Sequence, residues 1–143
     1  AASDVYKRQH KRRSYVELQH LDICMLHDIY MLSPVQKEFK KAVDEPWRKE
    51  EPWMRYQDRL LKDLAVLDEH KKDAIIFEQF ELLTDTEKLY SIRHPKTKKN
   101  VRVLYTITDD LKVILLTAFL EKSASDYDRA KKTAVNRLKW LES

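Results

Sequence analysis

No glycine occurs anywhere in the 143 residues. Phosphate-cradling loops of the Walker and dinucleotide-binding types need glycine because the backbone must approach the ligand closely, so both are excluded, and nucleotide-dependent chemistry is not expected. A nucleophile elbow of the Gly-x-Ser-x-Gly kind is excluded for the same reason. Cysteine is confined to Cys24, which rules out a disulfide scaffold and a cysteine-based zinc site and makes a reducing, cytoplasmic setting the expectation. The five histidines, at 10, 20, 27, 70 and 94, show no metal-ligand spacing and no His-Glu-x-x-His pair, so no metal site is expected. Long hydrophobic runs are missing too: Val113–Leu120, with Thr117 inside it, falls far short of the roughly 18 residues that span a bilayer. No stretch carries a secretory signal's regions in order. Neither a membrane nor a small-molecule cofactor is expected as a partner.

What is present is 28 Lys and Arg against 24 Asp and Glu, 43% apolar residues and four prolines, which fits one domain of ordinary size. The charge is unevenly placed. Residues 35–91 hold 11 basic and 14 acidic side chains, whereas 92–140 hold 12 basic and five acidic, a net of +7. A basic half beside an acidic half suggests a surface for a polyanion, although a solvated lysine-rich face has the same composition. The N-terminus reads differently. Asp4-Val5-Tyr6-Lys7-Arg8-Gln9 is what GAT GTG TAT AAG AGA CAG encodes, a string resembling the transposase mosaic-end adapter of sequencing libraries, so residues 1–9 read as an assembly scar. The basic cluster His10, Lys11, Arg12, Arg13 abuts it. Residues 1–24 are therefore expected to be a non-native or disordered leader, with a natural start at Met25, or Met31 behind it, and a single domain over 25–143.

Within that domain the periodicity changes midway. Leu26–Leu32 reads as a first strand. Ser33-Pro34-Val35-Gln36 is a helix start, with Ser as N-cap, Pro at the first helical position and Gln closing a capping box. Val35, Phe39, Ala42 and Val43 then share one face. Glu45-Pro46-Trp47 and Glu51-Pro52-Trp53 read as a helix–helix connection, after which Trp53, Tyr56, Leu60, Leu64 and Leu67 form an apolar stripe to about His70. Leu89–His94, Val101–Thr108 and Val113–Leu120 are rich in β-branched and aromatic residues and are divided by the turns at 95–100 and 109–110, which predicts an antiparallel meander. Phe77–Leu83 fits neither period cleanly. A last helix is predicted with Ser125 as its cap, Asp128 at the third position, and a stripe of Tyr127, Ala130, Ala134, Leu138 and Leu141. The order β-α-α-β-β-β-α gives an α+β fold: a small antiparallel-dominated sheet, two N-terminal helices on one face, and a C-terminal helix.

Period two places Ser91 with Arg93 on one side of a strand, and Arg102 with Leu104 and Thr106 on one side of the next. Arg93 and Arg102 are then candidates for a shared face, with Lys122 just past the last strand, Tyr127 opening the last helix, and His94 on the rim. Two guanidiniums so placed could hold a phosphate bidentately. Each of these residues also has an ordinary reading, as a solvated or salt-bridged arginine or an exposed turn histidine.

The C-terminal half carries a more specific pattern: Leu89-Tyr90-Ser91-Ile92-Arg93, then Val101-Arg102-Val103-Leu104-Tyr105, then Val113 through Glu121-Lys122-Ser123, then a basic terminal helix. It resembles the RelE/HigB superfamily of toxins from bacterial type II toxin–antitoxin systems, especially the phage-derived toxin-like branch. The resemblance runs from about Met25 to Leu141 in element order and is motif-level over 89–141. It implies a RelE-like fold and a metal-independent, ribosome-dependent endoribonuclease that cuts mRNA at the decoding site and is neutralised by a cognate antitoxin. Carried over, the strand arginine is Arg93, the arginine before Val-Leu-Tyr is Arg102, the basic residue after the last strand is Lys122, and an acid–base tyrosine early in the last helix falls at or near Tyr127. Lys96, Lys98, Lys99, Lys131 and Lys132 are the RNA-binding candidates, and the Trp47/Trp53 region is a candidate antitoxin contact. Two departures stand out. The branch has two basic residues followed by Thr where this chain has Glu121, Lys122 and Ser123, and its frequent histidine in the last strand is Thr117 here.

In such a site the arginines would stabilise the extra charge on phosphorus while Tyr127 or His94 handled protons, giving a 2′,3′-cyclic phosphate first. Two other classes fit the residues: a gyrase-directed toxin of the ParE kind, sharing the fold without the nuclease residues, and an inactive nucleic-acid-binding module.

Overall fold

The computed structural model describes residues 16–23, 25–44, 53–85, 88–94 and 99–142, with Trp53 by its backbone alone. Ten elements follow in order: β1 (Leu18–His20), β2 (Ile29–Leu32), α1 (Pro34–Asp44), α2 (Trp53–His70), a 3-10 helix (Lys71–Ile76), β3 (Phe80–Leu82), β4 (Tyr90–Ile92), β5 (Val101–Ile107), β6 (Val113–Leu120) and α3 (Ala124–Glu142). The strands form one sheet in the order β1-β2-β6-β5-β4-β3. All pairs are antiparallel except β2 with β6, which run parallel. The expected α+β order is observed, extended by an edge strand at each end of the sheet.

The centre of the sheet is where the apolar runs are longest. β5 and β6 are buried along nearly their whole length, with Val103, Leu104, Tyr105 and Leu116 fully enclosed. Each large aliphatic side chain so enclosed contributes about 1.5–3 kcal/mol of hydrophobic stabilisation. A register shift at Leu104/Tyr105 marks a bulge, so Thr117 pairs with Leu104 while Leu115 pairs with Tyr105.

Strand alternation assigns the two faces to different helices. Leu115, on the side of Tyr105, lines an apolar groove with Met31, Val35 and Phe39 and with Leu60 and Leu64 of α2. On the other side are Arg102 and its cross-strand partner Phe119, and there Tyr127 of α3 meets Phe119 edge to face at 5.6 Å. The face that carries Arg102 is thus covered by the last helix. Glu38 of α1 ties the layers together. Its two carboxylate oxygens accept from Nη1 and Nη2 of Arg137 at 2.8 and 3.0 Å, and Arg137 Nη1 also donates to the Leu116 carbonyl at 2.8 Å.

Local chemistry explains most boundaries and the departures from expectation. Pro34 opens α1 as expected, but Ser33 Oγ accepts from the Glu17 N–H at 2.9 Å, which ties the helix start to the segment before β1. Within residues 1–24, read above as a leader, Leu18–His20 pairs with β2 at the sheet edge. The ambiguous stretch Phe77–Leu83 resolves into a turn that follows the 3-10 helix and the edge strand β3. The last helix starts earlier than the Ser125 cap implied: Asp126 Oδ2 accepts from the backbone N–H groups of Lys122 and Ser123 at 2.9 and 3.0 Å, so Ser123 with Asp126 makes the capping-box contact. Without glycine, the chain takes left-handed backbone at Met25, Lys71, Lys88 and Leu111, at φ of 53–69°. Cys24, residues 45–52 with Trp47, the Trp53 side chain, and Lys96 and Lys98 lie outside the described residues.

Candidate functional site

Arg102 is the second residue of β5, whose ladder holds the side chain on the α3 side of the sheet. Its Nε donates to Glu121 Oε2 at 2.6 Å, and Nη1 lies 3.9 Å from Glu81 on β3. The guanidinium carbon is 5.0 Å from the centroid of the Tyr127 ring, and Lys131 Nζ, one turn further along α3, is 5.1 Å from the same centroid. Both distances are within cation–π range. Lys131 pairs in turn with Asp85 at 2.6 Å and Asp128 at 3.5 Å. Glu81, Asp85, Glu121, Tyr127, Asp128 and Lys131 border an open cleft of about 320 Å³ between β3, the end of β6 and the start of α3, and Arg102 touches its wall through Tyr127 and Glu121. Two cations therefore share a tyrosine ring within a frame of carboxylates.

Burial pushes the Tyr127 phenol above its ordinary value, while the neighbouring Ser91 hydroxyl and the Arg102 guanidinium oppose the rise. The phenol keeps its proton at neutral pH, which suits a proton donor better than a base.

Of the other expected site residues, Arg93 comes next. Ser91 pairs with Leu104 and Ile92 with Val103 at the end of β4, and Arg93 follows directly after that last pair. Arg93 Nε reaches to the Glu78 carbonyl at 2.9 Å, in the loop before β3. Lys122 is exposed beyond the end of β6 and belongs to a neighbouring cleft of about 430 Å³ with Lys41 of α1 and Arg129 of α3. Lys132 is exposed on α3.

His94 and Lys99 lie elsewhere. His94 is buried, 3.7 Å from Asp63 of α2 and edge-on to Tyr56 at 5.8 Å. Burial, with the Arg59 charge as a lesser cause, pushes it down to about 4, and burial pushes Asp63 up. It faces α2 and not the rim, because it continues the alternation Tyr90, Ile92, His94 on the enclosed side. Lys99 is buried too: its Nζ donates to the Val43 carbonyl in the last turn of α1, and its backbone N–H donates to Tyr56 Oη at 3.1 Å. A cation at a helix C-terminus satisfies carbonyls that have no partner within the helix. Lys99 therefore offers no surface to RNA.

Glu121, Glu81, Asn100 and Asp85 were not read as members of the site. Glu121 had a signal, as the carboxylate standing where the resembled family has a base. Asn100 donates to the same Glu121 oxygen at 2.6 Å. Among the described residues no group of three or more His, Cys, Asp or Glu is placed to hold a metal ion, and no helix is long and apolar enough to cross a membrane.

No family model and no curated protein matches the chain. Among solved structures, it is similar to a double arginine-to-alanine mutant of the E. coli toxin RelE in the free state. The similarity spans 76% of this chain and 97% of that one, at 18% sequence identity and a TM-score of 0.50. The chain accordingly has a RelE-like fold.

Proposed function

We propose that this protein is the toxin of a type II toxin–antitoxin pair and acts in the cytoplasm as a metal-independent endoribonuclease on mRNA held by the ribosome. The observation that supports this best is Arg102 over the Tyr127 ring on the α3 side of the sheet, with Arg93 directly following β4, the strand paired with β5. In this reading the Arg102 guanidinium binds the scissile phosphate and stabilises the charge that builds up on it, which is the largest single contribution such sites make. Tyr127, protonated at neutral pH, gives its proton to the leaving 5′-oxygen. The 2′-hydroxyl attacks phosphorus in line and gives up its proton to solvent as the bond to the 5′-oxygen breaks, and the ribosome supplies the conformation of the RNA. His94 takes no part, being enclosed against α2. Free RNA is then a poor substrate, because among the described residues lining the cleft Lys131 faces the carboxylates of Glu81, Asp85, Glu121 and Asp128. A cognate antitoxin would neutralise the toxin.

Expression of the full chain in a bacterium tests this, with growth and the incorporation of labelled amino acid, thymidine and uridine followed together. Early loss of protein synthesis, with mRNA cut inside coding regions, is expected. Arg102→Ala should reduce that effect at least 100-fold while the domain stays folded; toxicity retained in a folded variant would sink the assignment.

A second reading, a gyrase-directed toxin on the same fold, draws its support from Glu121, whose carboxylate already satisfies Arg102. Early loss of thymidine incorporation would favour it.

A further inference from the structure

Glu121 follows β6 directly, and its backbone N–H donates to the Asn100 carbonyl at 2.9 Å, so the end of the β5–β6 ladder fixes where the side chain stands. One carboxylate oxygen, Oε2, accepts from both Arg102 Nε and Asn100 Nδ2, each at 2.6 Å. Glu121 and Arg102 are both mostly shielded from solvent, at 20% and 13% side-chain exposure, so the pair is less screened than a surface ion pair. A guanidinium presents a flat fork of donors that suits carboxylate and phosphate oxygens alike. One donor of that fork, Arg102 Nε, is already taken by Glu121.

We propose that Glu121 is a built-in competing anion, holding Arg102 until a phosphodiester displaces it, and so sets which phosphate-bearing ligands the site accepts. The inference rests on the reading of Arg102 as a phosphate ligand. A carboxylate fixed on the same ladder competes at a high effective concentration, on the order of millimolar or more. A small free phosphate at lower concentration loses that competition. A phosphodiester presented by a large particle, held by contacts elsewhere, wins it. Glu121 thereby acts as a selectivity residue against free RNA.

The test follows the Arg102 Nε–Hε signal by nuclear magnetic resonance while inorganic phosphate is added to the full chain. In the native protein the signal is expected to stay fixed, protected by Glu121. In Glu121→Gln, which keeps the size of the side chain and an oxygen acceptor for Asn100, it should shift saturably, with phosphate affinity at least tenfold tighter. Glu121→Ala serves as the second variant, and thermal unfolding checks that both are folded. Phosphate affinity at Arg102 equal within twofold in all three proteins overturns the proposal. Because this readout needs no ribosome, the two ideas fail separately. Tighter phosphate binding in the variants without any effect on translation upholds the competing anion and removes the nuclease. Loss of protein synthesis with unchanged phosphate affinity does the reverse.

Discussion

The two faces of the sheet handle charge in opposite ways. On the side of α1 and α2, the polar groups are enclosed and few: His94 against Asp63, and Lys99 on the last turn of α1. Burial keeps His94 neutral there, because a charge in that setting would lose its water without adequate repayment in contacts. On the side of α3, Arg102, Lys131, Glu81, Asp85, Glu121 and Asp128 surround one tyrosine at the edge of an open cleft. There the groups pair with one another. The difference shows where ligand chemistry belongs. A charge locked into the interior is committed to the fold, whereas a charge held by another charge beside a cleft can exchange its partner for a ligand.

The first way to break this comparison is to titrate the enclosed side. His94 has its folded value pushed down to about 4 from an ordinary 6.5, so between those values the unfolded chain binds a proton that the folded chain refuses. Stability from this group is complete above about pH 6.5 and falls as the pH drops towards 4, by about 3 kcal/mol in all at 1.36 kcal/mol per unit. Asp28 acts in a lower window. Its carboxyl, held at about 2 by the Lys112 and Lys71 ammonium groups, withdraws stability only as the pH falls from about 4 to 2. Denaturant unfolding between pH 7 and 4 should therefore show the loss in the native protein and not in His94→Phe, which keeps an aromatic ring beside Tyr56. An equal slope in both proteins would place the acid sensitivity elsewhere.

The link between the two faces is the next to break. Arg137 of α3 makes a two-point contact with Glu38 of α1 and also holds the Leu116 carbonyl. Hydrogen bonds involving charged groups contribute about 1.5–3 kcal/mol, so Arg137→Ala is expected to destabilise by about that much. Glu38 keeps the Thr117 hydroxyl, 3.1 Å away, as a remaining donor. If α3 is a separate layer held mainly by this tie, hydrogen exchange along α3 should rise more than exchange in β5. Uniform acceleration would mean that the layers unfold as one.

These same residues show how far the sequence could be read. Helix starts were legible where one residue set matched the template, as at Ser33-Pro34; at the last helix two overlapping matches exist, Ser123 with Asp126 and Ser125 with Asp128, and only backbone geometry chooses the first. The central strands were legible because β5 and β6 are long and apolar, while β1 and β3 have three residues each, too few to display a period. Arg102 and Tyr127 were found as neighbours because both lie at positions fixed by local pattern. Lys99 was misplaced because a lysine in a lysine-rich turn looks solvated, and its acceptor at Val43 is 56 residues away. His94 carried a usable signal, the alternation from Tyr90 and Ile92, which the adjacent proline obscured. The Arg137–Glu38 contact spans 99 residues and leaves no local trace.

The smallest expected effect comes from a position that touches neither face. Leu111 closes the β5–β6 hairpin at φ 63° with its side chain about half exposed. Left-handed backbone costs a residue with a Cβ roughly 1 kcal/mol or more relative to glycine, through the approach of Cβ to the following carbonyl oxygen. Glycine at this position also gains freedom in the unfolded chain, which offsets part of the relief. Leu111→Gly should therefore stabilise by about 0.5–1 kcal/mol, read as a higher unfolding midpoint in denaturant. The turn's own hydrogen bonds, Thr108 N–H to the Lys112 carbonyl at 2.8 Å and Leu111 N–H to the Thr108 carbonyl at 2.9 Å, need no side chain at 111 and should survive. Because the change acts on the backbone alone, the acid loss assigned to His94 and the phosphate response assigned to Arg102 should both be unaltered in this variant. A shift in either would mean that the hairpin transmits strain to that face, and that the two sides are less independent than their charge patterns indicate.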